Sequence, residues 1–118
     1  MLDPTCDEIE WVYCTVVAVP AAVDPIVTVV EDEGVTIVVR RDEADELELR
    51  YSYVAAHLTL QVHSDLAAVG LTAAVSAALA AAGISANVVA GYFHDHVFVP
   101  FARRGEALGL LERLSWPN

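Results

Sequence analysis

The chain of 118 residues is of single-domain length, and 56 % of its residues are hydrophobic, so it folds around a core and is not a disordered polymer. Its net charge is -11 and it contains no lysine. An acidic surface repels polyphosphates, which excludes nucleic acid and anionic membrane as partners; the missing lysine excludes Schiff-base and phosphate-loop chemistry.

The charge is unevenly placed. Residues 1–48 hold 13 of the 17 acids and two of the six basic residues, whereas residues 49–118 hold four acids and four arginines. Cys6 and Cys14 lack metal or redox spacing, and no basic start followed by an apolar block opens the chain, so both are expected to be free thiols in a cytoplasmic protein. No charge falls between Asp65 and Asp95, but the interval is mostly alanine broken by Gly70, Gly83, Ser85 and Asn87, which argues against a membrane span.

In chain order, residues 1–10 are acidic, aperiodic and expected to be a loose end, with Cys6 in it. Residues 11–19 alternate as a strand with Cys14 inward, residues 26–30 read as a short strand, Glu31-Asp32-Glu33-Gly34 as a turn, and residues 35–40, rich in β-branched side chains, as a strand. The charged stretch 41–48 reads as a loop or short helical turn. Residues 54–63 form a strand with Leu58, Leu60 and Val62 on the apolar face and His57, Thr59, Gln61 and His63 on the polar one. A loop over 64–70 leads into a helix over 71–82, where Leu71, Val75 and Leu79 recur every four residues, and Gly83 stops it. Residues 85–91 and 96–101 form a hairpin turning around residues 93–95. The last helix spans about 103–114 and buries Ala107, Leu108, Leu111 and Leu114. No internal repeat is evident.

Strand, helix, strand, strand, helix is most of a ferredoxin-like unit. The order, with Gly70 before the helix and Gly83-Ile84-Ser85-Ala86-Asn87-Val88 after it, resembles the ACT domain. Three further stretches resemble a small bacterial ACT family: Glu31-Asp32-Glu33-Gly34-Val35-Thr36, Val69-Gly70-Leu71-Thr72-Ala73, and the run from Asn87 to Pro100. That family is similar in turn to the ACT modules of the eukaryotic cytosolic arginine sensor. The resemblance implies an α+β, ferredoxin-like antiparallel sheet with two helices on one face. It would be one domain, with residues 53–114 as a βαββα core and residues 1–52 as a strand-rich acidic extension completing the sheet. Because a complete ACT unit has a fourth strand after its second helix, residues 35–40 or 11–19 are expected to occupy the edge beside residues 58–63.

The resemblance also implies a non-catalytic regulatory module, a homodimer or higher homo-oligomer without cofactor, that binds an amino acid or similar small molecule at a subunit interface. Its site would comprise Leu66, Val69, Gly70, Leu71, Thr72, Asn87 and Val88. The chemistry suits it, because helix N-termini favour carboxylates and Gly70 lets a ligand approach the backbone. A ligand-free scaffold is the alternative, in which Gly70 only makes the turn. A weaker alternative is a metal-binding domain using His63, His94 and His96, all on one sheet face, against which stands the simpler reading of histidines lining a wet sheet. His63-Ser64-Asp65 cannot form a catalytic chain, since neighbours on a strand point to opposite faces.

Overall fold

The computed structural model describes residues 2–61 and 70–114. Two compact units divide the chain, one of Ile9–Ala55 and the other of Met1–Glu8 with Ala56–Asn118.

In the first unit, β2 (Trp11–Val16) lies antiparallel to β4 (Val35–Arg40), and β3 (Val27–Val30) lies antiparallel to the other edge of β4. The register sets Val12 opposite Val39, Cys14 opposite Ile37 and Val16 opposite Val35. Because side chains alternate across a strand, these three pairs share one face, and with Val23 and Ala44 they make the unit's core. Helix α1 (Arg41–Glu46) covers that core with Ala44. A polar clasp holds it in place: the Arg41 guanidinium donates to Glu10 Oε2 at 3.0 Å and to the Tyr51 hydroxyl at 2.9 Å, and that hydroxyl donates to Asp45 at 2.6 Å.

Strand β5 (Val54–Leu60) begins in the first unit, where Val54 and Ala55 pair with Val12 and Trp11, and continues in the second. There it is followed by α2 (Leu71–Ala81), β6 (Asn87–Ala90), β7 (Asp95–Pro100), a 3-10 turn over Phe101–Arg103 and α3 (Arg104–Arg113). Strand β7 sits between β5 and β6, the split βαβ arrangement of ferredoxin-like folds. Leu71, Val75 and Leu79 of α2 and Ala107 and Leu111 of α3 pack on Ala56, Leu58, Leu60, Val97 and Val99, so both helices cover the same sheet face. Gly83 and Ile84 donate back to Ala80 and Leu79, each at 2.9 Å, and end α2 where the sequence puts its stop.

Three expectations change. The N-terminal segment is not a loose end: Leu2 is fully buried among the helix-side residues, and β1 (Pro4–Cys6) pairs antiparallel with Leu58–Leu60. That strand, rather than residues 35–40 or 11–19, occupies the edge of β5 beside Leu58, while Trp11 and Val12 reach only Ala55 and Val54. Proline is tolerated here because an edge strand leaves one row of N–H groups unused. The second hairpin turns at Tyr92-Phe93, one residue earlier than read, with the Gly91 N–H donating to the His94 carbonyl at 2.9 Å.

An internal repeat is also present. The hairpin β3–β4 pairs Val27 with Val38 through Val30 with Val35, and β6–β7 pairs Asn87 with Phe98 through Ala90 with Asp95, so both hairpins have one register, 60 residues apart. Each is followed directly by a helical turn. Within this shared frame the turn Glu31-Asp32-Glu33-Gly34 corresponds to Gly91-Tyr92-Phe93-His94.

Candidate functional site

At the start of α2, Gly70 is the N-cap residue with φ 108° and ψ -28°, a left-handed conformation that suits glycine and strains other residues. The first helical hydrogen bond runs from Ala74 N–H to Gly70 O at 2.9 Å, so the N–H groups of Leu71, Thr72 and Ala73 precede the ladder. No acidic residue lies in this first turn, whereas α1 carries Asp42 and Glu43 there and α3 carries Glu106. Leu71 sends its side chain into the core, Thr72 and Asn87 are exposed, and Val88 packs at the core's margin. Leu66, Val69 and His63 lie outside the described residues.

On the sheet face opposite the helices stands a chain that the sequence reading missed. His57, only 8 % exposed, places Nδ1 at 2.7 Å from Asp7 Oδ2 and Nε2 at 2.9 Å from His96 Nδ1. Its ring stacks on Phe98 at 5.1 Å and on His96 at 5.2 Å. With Asp7 ionised, His57 Nδ1 carries the proton, Nε2 of a neutral ring accepts, and His96 Nδ1–H donates. A proton placed on His57 Nε2 while His96 Nδ1 keeps its own would set two N–H groups against each other and break the second bond. The Thr59 hydroxyl lies 3.3 Å from the same Nε2, giving a carboxylate–imidazole–hydroxyl order, but His96 at 2.9 Å holds that nitrogen more closely.

Of the three histidines read as possible ligands, His96 is engaged by His57, and His94 has a buried Nδ1 with no hydrogen-bond partner among the described residues. Among those residues no group of three or more His, Cys, Asp or Glu side chains is placed to hold a metal ion. Burial pushes the His96 imidazole below its ordinary range; His57 and His94 push the same way, and Asp95 opposes them. A histidine depressed in the folded state stabilises the fold above its unfolded pKa of about 6.5, and that stability is lost as pH falls from there through the folded value. Urea unfolding at about pH 7.5 and 5.5 should therefore show a larger loss for the wild type than for His96→Gln. Equal losses would deny the coupling.

A cavity of about 330 Å³ opens among Cys6, Glu8, Arg104, Gly105 and Leu108. Glu8 and Arg104 face each other across 3.4 Å. Burial pushes the Cys6 thiol up, with the neighbouring Glu8 carboxylate adding to the effect and the Glu8 N–H opposing it, so Cys6 is a partly buried strand residue and a poor nucleophile at neutral pH.

Together these features define an α+β module of the ferredoxin-like type, with an antiparallel sheet, and no helix among the described residues is long and apolar enough to cross a membrane. Two family models, both described as the ACT domain, match the chain, one over residues 1–56 and the other over residues 55–113. A Vibrio cholerae protein of unknown function, described as a possible transport protein, is 41 % identical; the match covers 98 % of this chain and 90 % of that one, with a TM-score of 0.90. The chain belongs to the ACT-domain family. An Agrobacterium tumefaciens protein shares the fold at 20 % identity, TM-score 0.73, over 87 % of this chain and 81 % of that one. The regulatory subunit of aspartate kinase from Thermus thermophilus, in a ligand-free form, shares it at 15 % identity, TM-score 0.65, over 93 % and 95 %. Among curated proteins, none matches.

Proposed function

We propose that the chain is a non-catalytic regulatory module of the cytoplasm that binds an amino acid or similar small zwitterion at the entrance of α2, as a homodimer or higher homo-oligomer. The carboxylate would meet the first-turn N–H groups of Leu71 and Thr72, with Gly70 giving close access and Leu66, Val69, Asn87 and Val88 lining the remainder. The observation that carries this reading is the start of α2: a left-handed glycine cap and a first turn without an acidic residue to offset the helix's positive end. Family membership and the likeness to an aspartate kinase regulatory subunit support it.

The sequence resembles a bacterial ACT family that is similar in turn to the arginine sensor's ACT modules, and on that resemblance arginine is the first ligand to try. In a thermal-shift screen of the amino acids, one present at about 100 times its dissociation constant adds about 2.7 kcal/mol of stability. Gly70→Val should abolish that gain by straining the cap and crowding the amides. The exposed hydrophobic edge of β6 favours a second reading, a ligand-free scaffold, and silence across the whole panel would select it.

A further inference from the structure

The cavity of about 330 Å³ in the second unit shares no residue with the entrance of α2. One wall is α3, which contributes Arg104, Gly105 and Leu108; the other is Cys6 at the end of β1 and Glu8 just beyond it. Ligand pockets span about 300–1,000 Å³, so this one suits a small molecule. Glycine is a poor helix former, and packing does not call for it at position 105, since nothing lies within 4 Å of a Cβ built there. What the missing side chain leaves is open space beside Leu108, one turn further along the same helix face.

The polar end of the cavity is fixed in place. The Arg104 guanidinium lies 3.9 Å over the Phe101 ring and donates through Nη1 to the Phe101 carbonyl at 2.9 Å. Its Nε faces Glu8 Oε2 at 3.4 Å, while Nη2 has no partner among the described residues. Glu8 holds a left-handed backbone, φ 62°, where glycine, asparagine or aspartate is usual. Glutamate there supplies a carboxylate set against Arg104. A donor and an acceptor thus stand side by side above an apolar floor of Cys6, Gly105 and Leu108.

We propose that this cavity binds a small neutral molecule bearing a primary amide or ureido group on a short aliphatic body. The carbonyl oxygen accepts from Arg104 Nη2, an N–H donates to Glu8, and the aliphatic part lies on Gly105 and Leu108. Charge decides the class. Glu8 and Arg104 already balance each other at 3.4 Å, so a neutral amide leaves the pair in place. A carboxylate would face Glu8 and an amine would face Arg104, each a contact between like charges. A zwitterion matches both charges but sheds far more hydration than an amide on leaving water. The ligand touches both walls, and so ties β1 to α3.

Three probes with one aliphatic body test it on the 15N-labelled full chain: isovaleramide, isovalerate and isopentylamine. Molecules this small bind at about millimolar strength, so each is titrated to about 50 mM. Isovaleramide should move the amide signals of Cys6, Glu8, Gly105 and Leu108 saturably and leave those of Gly70 to Ala73 still. The two charged probes should bind at least about tenfold more weakly. Gly105→Leu fills the open space and should abolish the isovaleramide response. Glu8→Gln, an exposed substitution, should reverse the preference: Arg104 then lacks its counter-charge, and isovalerate should gain at least about tenfold. Dispersed amide spectra check that both variants are folded. No saturable shift with isovaleramide, shifts that gather away from the cavity, or a full response in Gly105→Leu overturns the site. Isovalerate binding the wild type as tightly as the amide, or an unchanged order of probes in Glu8→Gln, overturns the neutral-amide class.

Discussion

Truncating Phe98 to alanine is expected to cost about 3–5 kcal/mol of folding stability. The ring is fully buried on β7 and lies nearly parallel to His57, at 20°. Its removal takes away the apolar wall that positions the imidazole between Asp7 and His96, so the site loosens with the fold. Urea unfolding measures the loss, and the chemical shift of the His57 Nδ1 proton reports whether the bond to Asp7 at 2.7 Å survives. A loss under about 1 kcal/mol would mean that the site can collapse around the gap, contrary to a tightly packed arrangement.

Gly91→Ala is the second large effect. A Cβ there would stand 2.7 Å from the His94 carbonyl oxygen and 3.1 Å from His96 Nε2. The first contact is backbone across a tight turn and cannot swing aside, so overpacking should cost about 1–3 kcal/mol. Gly105→Ala supplies the contrast, because nothing lies within 4 Å of a Cβ built at that helical position. It should raise stability by about 0.5–1 kcal/mol through the lower conformational freedom of the unfolded chain. Equal effects at the two glycines would refute the close packing of His96 over Gly91.

How far these features could be read in advance depended on their range along the chain. Residues 35–40 declare a strand through consecutive β-branched side chains, and the spacing of Leu71, Val75 and Leu79 declares a helix face, since both signals are local. Strand β1 has no such signal. It is three residues long, contains Pro4, lies between positive-φ residues Asp3 and Glu8, and exists because β5 offers an edge more than 50 residues away. The Asp7–His57–His96 chain was hidden for the same reason: His57 showed as one member of a polar face, and neither its burial nor its carboxylate partner is local information.

The repeat escaped notice because its hairpins share residue types at only two aligned positions, Val29 with Val89 and Val39 with Val99. What they share is alternation: Ile37 and Val39 enter one core as Val97 and Val99 enter the other. Packing constrains which face a residue occupies far more than which apolar side chain it is. The tips face solvent, where no core restricts them, and there the two copies diverge into acids and aromatics.

The central claim is that the amides opening α2 receive a small zwitterion. Backbone amide resonances of 15N-labelled protein, titrated with arginine and then with the other amino acids, test it most directly. The account predicts that one ligand moves the Gly70, Leu71, Thr72 and Ala73 signals in a saturable way while those of α1 stay in place. A panel that leaves these four amides still, or a ligand whose shifts gather elsewhere, contradicts it.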